Sequence, residues 1–279
     1  MVLLLVAGVA NATGADLSEA RKLYHSTDFE RSLKVLQEIS SKDAAAYELI
    51  GRNYYMLTDY KKATEALEKA VSLEPANAGY TLWLGRAWGR RAETSSPFTA
   101  PGHASRARQY FEKAVQLSPM NLDAQSDLFE YYLEAPGFLG GGMEKAQATA
   151  VQLGKISPAE GQWAEAKIAE KRKEAGSAEA HLRRAIELAP QQVGRFIDLA
   201  RFLVKQGRFQ EADQSFARAA KVAPNSPKLI FAQAETYVKA KHNLTVAREL
   251  LKQYMSIDLT AEDAPKSEAA RLLRQAQGD

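Results

Sequence analysis

Between Ala44 and Asn77 the chain shows helical spacing twice over and then stops. Tyr47, Ile50, Gly51 and Tyr54 fall three, one and three residues apart, so they share one face of a first helix. Asp59 and Tyr60 open a second helix, on which Ala63, Leu67 and Ala70 recur at four and three residues. Pro75 stands just past its end, where a ring without an N–H cannot continue a helix. A single helix pair of this kind leaves an apolar face in water, so the pattern is decisive only if it repeats along the chain.

It does repeat. The small-residue slot filled by Ala63 returns as Ala107, Ala146, Ala178, Ala212 and Ala247, and the closing proline returns as Pro119, Pro158, Pro190 and Pro224. Successive prolines are 44, 39, 32 and 34 residues apart, which reads as insertions of ten and five, a deletion of two, and one full period. Alanine and glycine fit where helices approach closely, and large apolar residues fill the gaps between. Stacked hairpins then bury a continuous core that one hairpin cannot.

The slots follow the 34-residue pattern W-x2-L-G-x2-Y, then A-x3-F, then P. With Tyr47 in the tryptophan slot and Leu67 in the phenylalanine slot, the chain resembles the tetratricopeptide repeat family. The proline- and glycine-rich insertions resemble those of bacterial members. The resemblance implies an all-α fold: a right-handed superhelical solenoid of about seven helix hairpins with a C-terminal capping helix. Hairpins are expected at Asp16–Ser40, as an N-terminal cap, then Ala44–Asn77, Ala78–Pro119, Leu122–Pro158, Ala159–Pro190 and Val193–Pro224, and from Pro227 onward. The fifth fits least well, because Lys167 and Lys171 occupy slots that are usually apolar. A polar-faced helix over Ala261–Gln277, with Ala269, Leu272, Leu273 and Ala276 on one side, is expected to cap the array. The organisation is thus 1–12 signal peptide, 13–260 repeat array and 261–279 capping helix.

The signal peptide reading rests on Val2–Val9, an uncharged apolar run that ends in Ala10-Asn11-Ala12, an A-x-A cleavage site. The n-region is only Met1, with no Lys or Arg before Arg21. A short buried helix and a lasting anchor are the alternatives, and the run is too short for the roughly 20 residues that a hydrocarbon core demands. Export to the periplasm or beyond is expected, with no stable membrane insertion. The chain contains no cysteine, which excludes disulfides, thiolate metal sites and a lipid-modified cysteine.

Net charge is only +3, from 37 basic and 34 acidic residues, and no basic face carries aromatic stacking platforms. Nucleic acid is therefore not an expected partner, and Arg90, Arg91, Arg106 and Arg108, with Glu93 among them, read as a solvated basic edge. His25, His103, His181 and His242 belong to different repeats and form no H-E-x-x-H, so no metal and no cofactor are expected. Gly140, Gly141 and Gly142 precede a helix and could present N–H groups to an anion, but the Walker pattern is absent; a sharply turned connection needing positive φ is the competing reading. Asp127, Glu130 and Glu134 form an acidic stripe, which Arg86 and Arg90 of the preceding repeat are placed to meet. No paired acid and base in an apolar pocket is evident, so an enzyme is not expected.

In the tetratricopeptide family the first helices line a concave binding face. By resemblance, the ligand-facing candidates are Glu48, Arg52, Tyr55, Leu82, Arg86, Ser126, Glu130, Arg201 and Glu235. The lysines and asparagines by which some members clamp a peptide's terminal carboxylate are missing, and Glu48 opposes such a clamp. Two insertions, Glu93–Ser105 and Glu134–Gly142, fall between first and second helices of consecutive repeats and are expected side by side as one lip, with Phe98, Phe138 and Leu139 as its apolar contents. The partner-binding candidates are accordingly Arg52, Tyr55, Arg86, Glu130, Phe98, Phe138 and Leu139. The resulting expectation is a non-catalytic scaffold that binds a protein or peptide in the cell envelope. The alternative is a structural subunit of an envelope assembly.

Overall fold

The hairpins are built from a turn that the sequence repeats. In the computed structural model, which describes residues 7–278 with side chains from Asp16 onward, a left-handed residue precedes the second helix at Thr27, Thr58, Lys173 and Gly207. At each, the next residue's N–H reaches back five residues to a carbonyl of the first helix, as in Asp59 to Tyr54 and Arg208 to Leu203, both at 2.9 Å. This pairing satisfies carbonyls left over at the helix C-terminus and reverses the chain in three residues. Asp28 and Asp59 then accept from the backbone N–H groups of Arg31 and Lys62, which caps the second helix.

Fifteen α-helices and one 3-10 turn, without a strand, make up the described residues. Two compact units divide them, one through Lys145 and the other from Ala146. In the first unit, α1 (Ala7–His25) pairs with α2 (Phe29–Glu38), α3 (Ala44–Met56) with α4 (Tyr60–Leu73), and α5 (Ala78–Glu93) with α6 (Ala100–Leu117). Next come α7 (Leu122–Glu134) and a 3-10 turn over Gly137–Leu139, before the unit ends in the first turn of α8 (Met143–Ile156). In the second, α9 (Pro158–Lys171) pairs with α10 (Ala175–Leu188), α11 (Val193–Lys205) with α12 (Phe209–Val222), and α13 (Pro227–Ala240) with α14 (Leu244–Ser256), followed by α15 (Lys266–Gln277).

The alanine slots lie where the spacing places them: Ala63, Ala107, Ala146, Ala178, Ala212 and Ala247 are all buried. The glycine slot explains itself through its neighbour. A Cβ on Gly51 would collide with Leu67, and one on Gly85 would lie 2.7 Å from the Phe111 ring, so each glycine makes room for the large residue of its own hairpin. At the start of the second unit, Gly161 of α9 packs against the backbone of Gly154 of α8, a close approach without a counterpart in the repeat pattern.

Four sequence expectations need correction or bounding. Lys167 and Lys171 are not core positions: Lys167 is half-buried beside Glu170 and Lys171 is exposed, while Trp163, Ala166, Ile168 and Ala169 fill the core. The reason is a linker. Only Ser157 separates α8 from α9, where four residues separate α4 from α5, so counting forward from Pro158 slides the register; counting back 34 residues from Ala200 and Leu203 reaches the buried Ala166 and Ala169. The capping helix starts at Lys266 rather than Ala261, because Pro265 fixes its entry. The first insertion is only partly a loop, since α6 already begins at Ala100 with Pro101 in its first turn. As for the expected signal segment, residues 1–6 lie outside the described residues, and no helix among the described ones is long and apolar enough to cross a membrane.

Candidate binding clefts

A row of stacked side chains runs across the first helices of the first unit. Arg52 of α3 lies over the Tyr24 ring of α1 at 4.8 Å and over the Trp83 ring of α5 at 4.5 Å, and it donates to the Tyr24 hydroxyl at 3.2 Å. Arg86, one turn beyond Trp83, packs on the same indole at 5.2 Å. Tyr55 meets Trp83 edge-on at 5.5 Å. Guanidiniums and rings thus alternate, and each cation gains from the electron-rich ring face. Glu48 pairs with Arg52 at 3.2 Å, and burial pushes its carboxyl above the ordinary range, with Arg52 opposing.

Arg86 ends this row at α7. Its Nε donates to Asp127 Oδ2 at 2.5 Å, and Asp123 lies 3.6 Å from its Nη2. Burial raises the Asp127 carboxyl above its usual value, and the Arg86 hydrogen bond pulls it back only in part. The expected pairing between the arginine row and the acidic stripe is therefore present for Arg86. Arg90 turns elsewhere, to Glu93 on its own helix and to the Tyr60 hydroxyl at 3.2 and 3.3 Å.

Between α5 and α7 these groups border a cleft of about 510 Å³. Ala104, Ala107 and Phe111 of α6 form its apolar base; Tyr55, Arg86, Arg90, Asp127 and Glu130 line its first-helix side; and Glu134, Pro136 and Leu139 of the second insertion close one end. That insertion is firmly fastened: Tyr131 donates to the Leu139 carbonyl at 2.9 Å, Lys145 to the Gly140 carbonyl at 2.9 Å, and the Gly142 N–H to the Tyr132 carbonyl at 2.8 Å. Gly140 and Gly142 have φ of +84° and +147°, so the sharp-turn reading of the glycine run is the right one. The anion reading fails on donor supply, since the N–H groups of Gly140, Gly141 and Gly142 are spent on the carbonyls of Gly137, Pro136 and Tyr132.

Of the seven sequence-derived candidates, Tyr55, Arg86, Glu130 and Leu139 line this one cleft, and Arg52 joins them through Trp83. Phe98 does not. It is 95% exposed and borders a different hollow of about 530 Å³, on another face of α6, with Trp88, Arg91, His103 and Arg106. There Arg91 and Arg106 lie on the Trp88 ring at 4.7 and 4.5 Å, so the expected basic edge is in part an aromatic stack. Phe138, 82% exposed, lines neither hollow. The two insertions therefore meet through their stems, Glu93 and Ala104 with Glu134 and Leu139, while their phenylalanine tips part. Trp83 was legible only as an aromatic three residues before Arg86, and Tyr131 as an ordinary helix aromatic.

The second unit has its own cleft, of about 780 Å³, on α9, α11 and α13. Lys167, Arg201, Lys205 and Lys239 line it with Asp198 and Glu235, over Phe202, Val204 and Phe209. Arg201 and Lys239 share Glu235 at 2.7 Å each, and Lys205 reaches Glu170 at 2.9 Å. Below it Arg195 bridges Glu160 and Asp198 at 3.2 and 3.3 Å, and burial pushes the Asp198 carboxyl up. Among the described residues no group of three or more His, Cys, Asp or Glu side chains is placed to hold a metal ion.

Tetratricopeptide repeat models match residues 44–77 and 169–235, one stretch in each unit. Both stretches are thus similar to tetratricopeptide repeats. They fall on α3–α4 and on α10–α12 with the ends of α9 and α13, so the repeat slots and the observed hairpins coincide. No curated protein matches the chain at a significant level. Among solved structures, a thermophilic tetratricopeptide protein of Thermus thermophilus is 19% identical, with a TM-score of 0.55 over 69% of this chain and 99% of its own. A tetratricopeptide repeat protein of Parabacteroides merdae is 12% identical, with a TM-score of 0.58 over 96% and 99%. At these identities the likeness shows the tetratricopeptide fold.

Proposed function

We propose that this tetratricopeptide chain is a non-catalytic scaffold that holds a segment of a partner protein against its first helices. The observation that carries this reading is the first-unit cleft: an apolar base formed by Phe111 and Ala107, a rim of ordered charges, and an end wall whose backbone and side-chain hydrogen bonds hold it in place. Its volume lies in the range of ligand pockets, about 300–1,000 Å³. A fixed wall reduces the ordering entropy that a binding surface otherwise loses on association. A photo-crosslinking residue in place of Glu130 should capture partner in cells, and the same residue in place of the exposed Lys61 on α4 should not. Equal capture at both positions would end the proposal.

We place the scaffold in the cell envelope, on the apolar run and the A-x-A site at residues 10–12. N-terminal sequencing of the protein from its native source should then begin at Thr13, and an intact Met1 in a cytosolic fraction would refute export. A structural-subunit role draws support from Phe98 and Phe138, two aromatic side chains left almost wholly in water. In that case replacing both by Ser should release the chain from a large assembly on gel filtration of a native extract.

A further inference from the structure

We propose that the second-unit cleft holds an extended acidic segment of a partner protein through two of its side-chain carboxylates. The site is built from residues of that unit alone and goes beyond the scaffold reading above, which rests on the first-unit cleft. Four cations line it, Lys167, Arg201, Lys205 and Lys239, and they hold two carboxylates. Glu170 takes Lys167 on one oxygen at 3.3 Å and Lys205 on the other at 2.9 Å. Glu235 takes Arg201 and Lys239, again one on each oxygen, at 2.7 Å. One negative charge thus faces two positive ones twice over, and each trio keeps an excess cation. The groups around them do not cancel it. Deeper in, Glu160 and Asp198 are matched by Arg195, which contacts both, and by Lys228, whose charge acts on Asp198. Arg271, which also acts on Glu235, carries its own carboxylate, Glu268. Lys171, exposed on α9, is a further cation at the margin.

The excess also faces outward. The side chains of Glu170 and Glu235 are 16 and 19% exposed, those of Arg201, Lys205 and Lys239 42, 62 and 66%, so an incoming segment meets guanidinium and ammonium first. Two like charges on one carboxylate repel each other, and a carboxylate brought by a partner relieves that repulsion. Arg201 and Lys205 are one turn apart on α11, about 6 Å along its axis. Acidic side chains at alternate positions of an extended segment lie on one side of it, about 6.5 Å apart. Two carboxylates can therefore settle on neighbouring cations, while a bulky apolar neighbour covers Val204 and Phe209, both only partly buried. A chain terminus brings a single carboxylate and meets half of this arrangement. Charge complementarity of this kind governs partner choice and association rate.

Peptides of equal length, alternating Leu with Glu, with Gln or with Lys and blocked at both ends, are titrated into the full chain by calorimetry. A further glutamine peptide keeps a free C-terminal carboxylate. The glutamate peptide should bind at least about tenfold more tightly than the lysine peptide, a difference of about 1.4 kcal/mol. Its affinity should weaken several-fold on raising salt from about 50 to about 300 mM, because screening shortens the reach of exposed charges. Lys205→Gln with Lys239→Gln leaves Lys167 on Glu170 and Arg201 on Glu235. That variant should bind the glutamate peptide at least about fivefold more weakly, with helical circular dichroism and Tm unchanged. Lys61→Gln with Lys221→Gln, at exposed positions of α4 and α12, makes the same change in net charge and should stay within about twofold of the parent. Equal weakening by the two double variants would reduce the attraction to overall charge and overturn the site. The free-carboxylate glutamine peptide, or a single-stranded oligonucleotide of equal charge, bound as tightly as the glutamate peptide would overturn the two-carboxylate assignment. A glutamate peptide that does not bind would overturn the proposal outright. None of these outcomes bears on crosslinking at Glu130, which tests the first-unit cleft.

Discussion

The two first-helix clefts use the same repeat geometry to opposite electrostatic ends. In the second unit the 34-residue spacing carries through, and Lys171, Lys205 and Lys239 stand at one position of α9, α11 and α13, with Lys167, Arg201 and Glu235 four residues before them. Cations outnumber carboxylates along that cleft, and the carboxylates are shared between cations, as Glu235 is between Arg201 and Lys239. In the first unit Arg52 and Arg86 keep the spacing, but α7 then presents Asp127, Glu130 and Glu134, and the row stops in acid. The difference also shows in how the charges are held. Arg52 lies between the Tyr24 and Trp83 rings and Arg86 packs on Trp83, whereas along the second cleft Arg201, Lys205 and Lys239 are held by ion pairs that are more open to solvent. An unbroken repeat gives a uniform surface; an inserted segment gives a walled one.

The sharpest way to break this comparison is to remove the cation from each. Arg86→Met should cost about 1.5–3 kcal/mol, since it deletes a charge-assisted hydrogen bond and leaves Asp127 half-buried without its arginine. Arg201→Met, at a pair whose arginine side chain is 42% exposed, should cost under about 1 kcal/mol. Urea denaturation of both variants tests this, and equal losses would mean that the two clefts are held alike. The packing of the regular unit is sharpened by Ala212→Leu. Ala212 is fully buried between α11 and α12, so the added methylenes should cost about 1–3 kcal/mol and weaken hydrogen-exchange protection in these two helices.

The smallest effect concerns pH. Asp127 has its folded pKa raised above 3.8, so the native state holds that proton more tightly than the unfolded chain does. Its contribution is fully present below pH 3.8 and is lost as pH rises through the folded pKa. The stability of the protein relative to its Asp127→Asn variant should therefore fall across that interval and level off above it. A difference that rises with pH instead would show that Arg86 outweighs burial.

The hairpins were legible because their slots are steric. Glycine leaves the room that Leu67 and Phe111 fill, buried alanine holds the close-approach slot of each second helix, and the alanine recurs from hairpin to hairpin whatever the surface does. Counting fails where a linker changes length: the single residue Ser157 between α8 and α9 displaces Lys167 from core slot to cleft wall, and nothing local in the sequence announces it. The candidate list fares similarly. Arg52, Tyr55, Arg86 and Glu130 are candidates because the family resemblance puts the first helices on the binding face, and three of them, Tyr55, Arg86 and Glu130, line one cleft.

What the sequence determined by itself, then, is the series of helices and their inward faces, because close packing depends on residue size at helical period, a local property of the chain. Only the tertiary structure decided which surface residues meet. Phe98 and Leu139 look equivalent as apolar insertion residues, yet α6 rises between them and places one beside Trp88 and the other over Phe111. Trp83 becomes a wedge between Arg52 and Arg86 only when α3 and α5 lie side by side, and contacts of that kind join residues about thirty positions apart that no local pattern can pair.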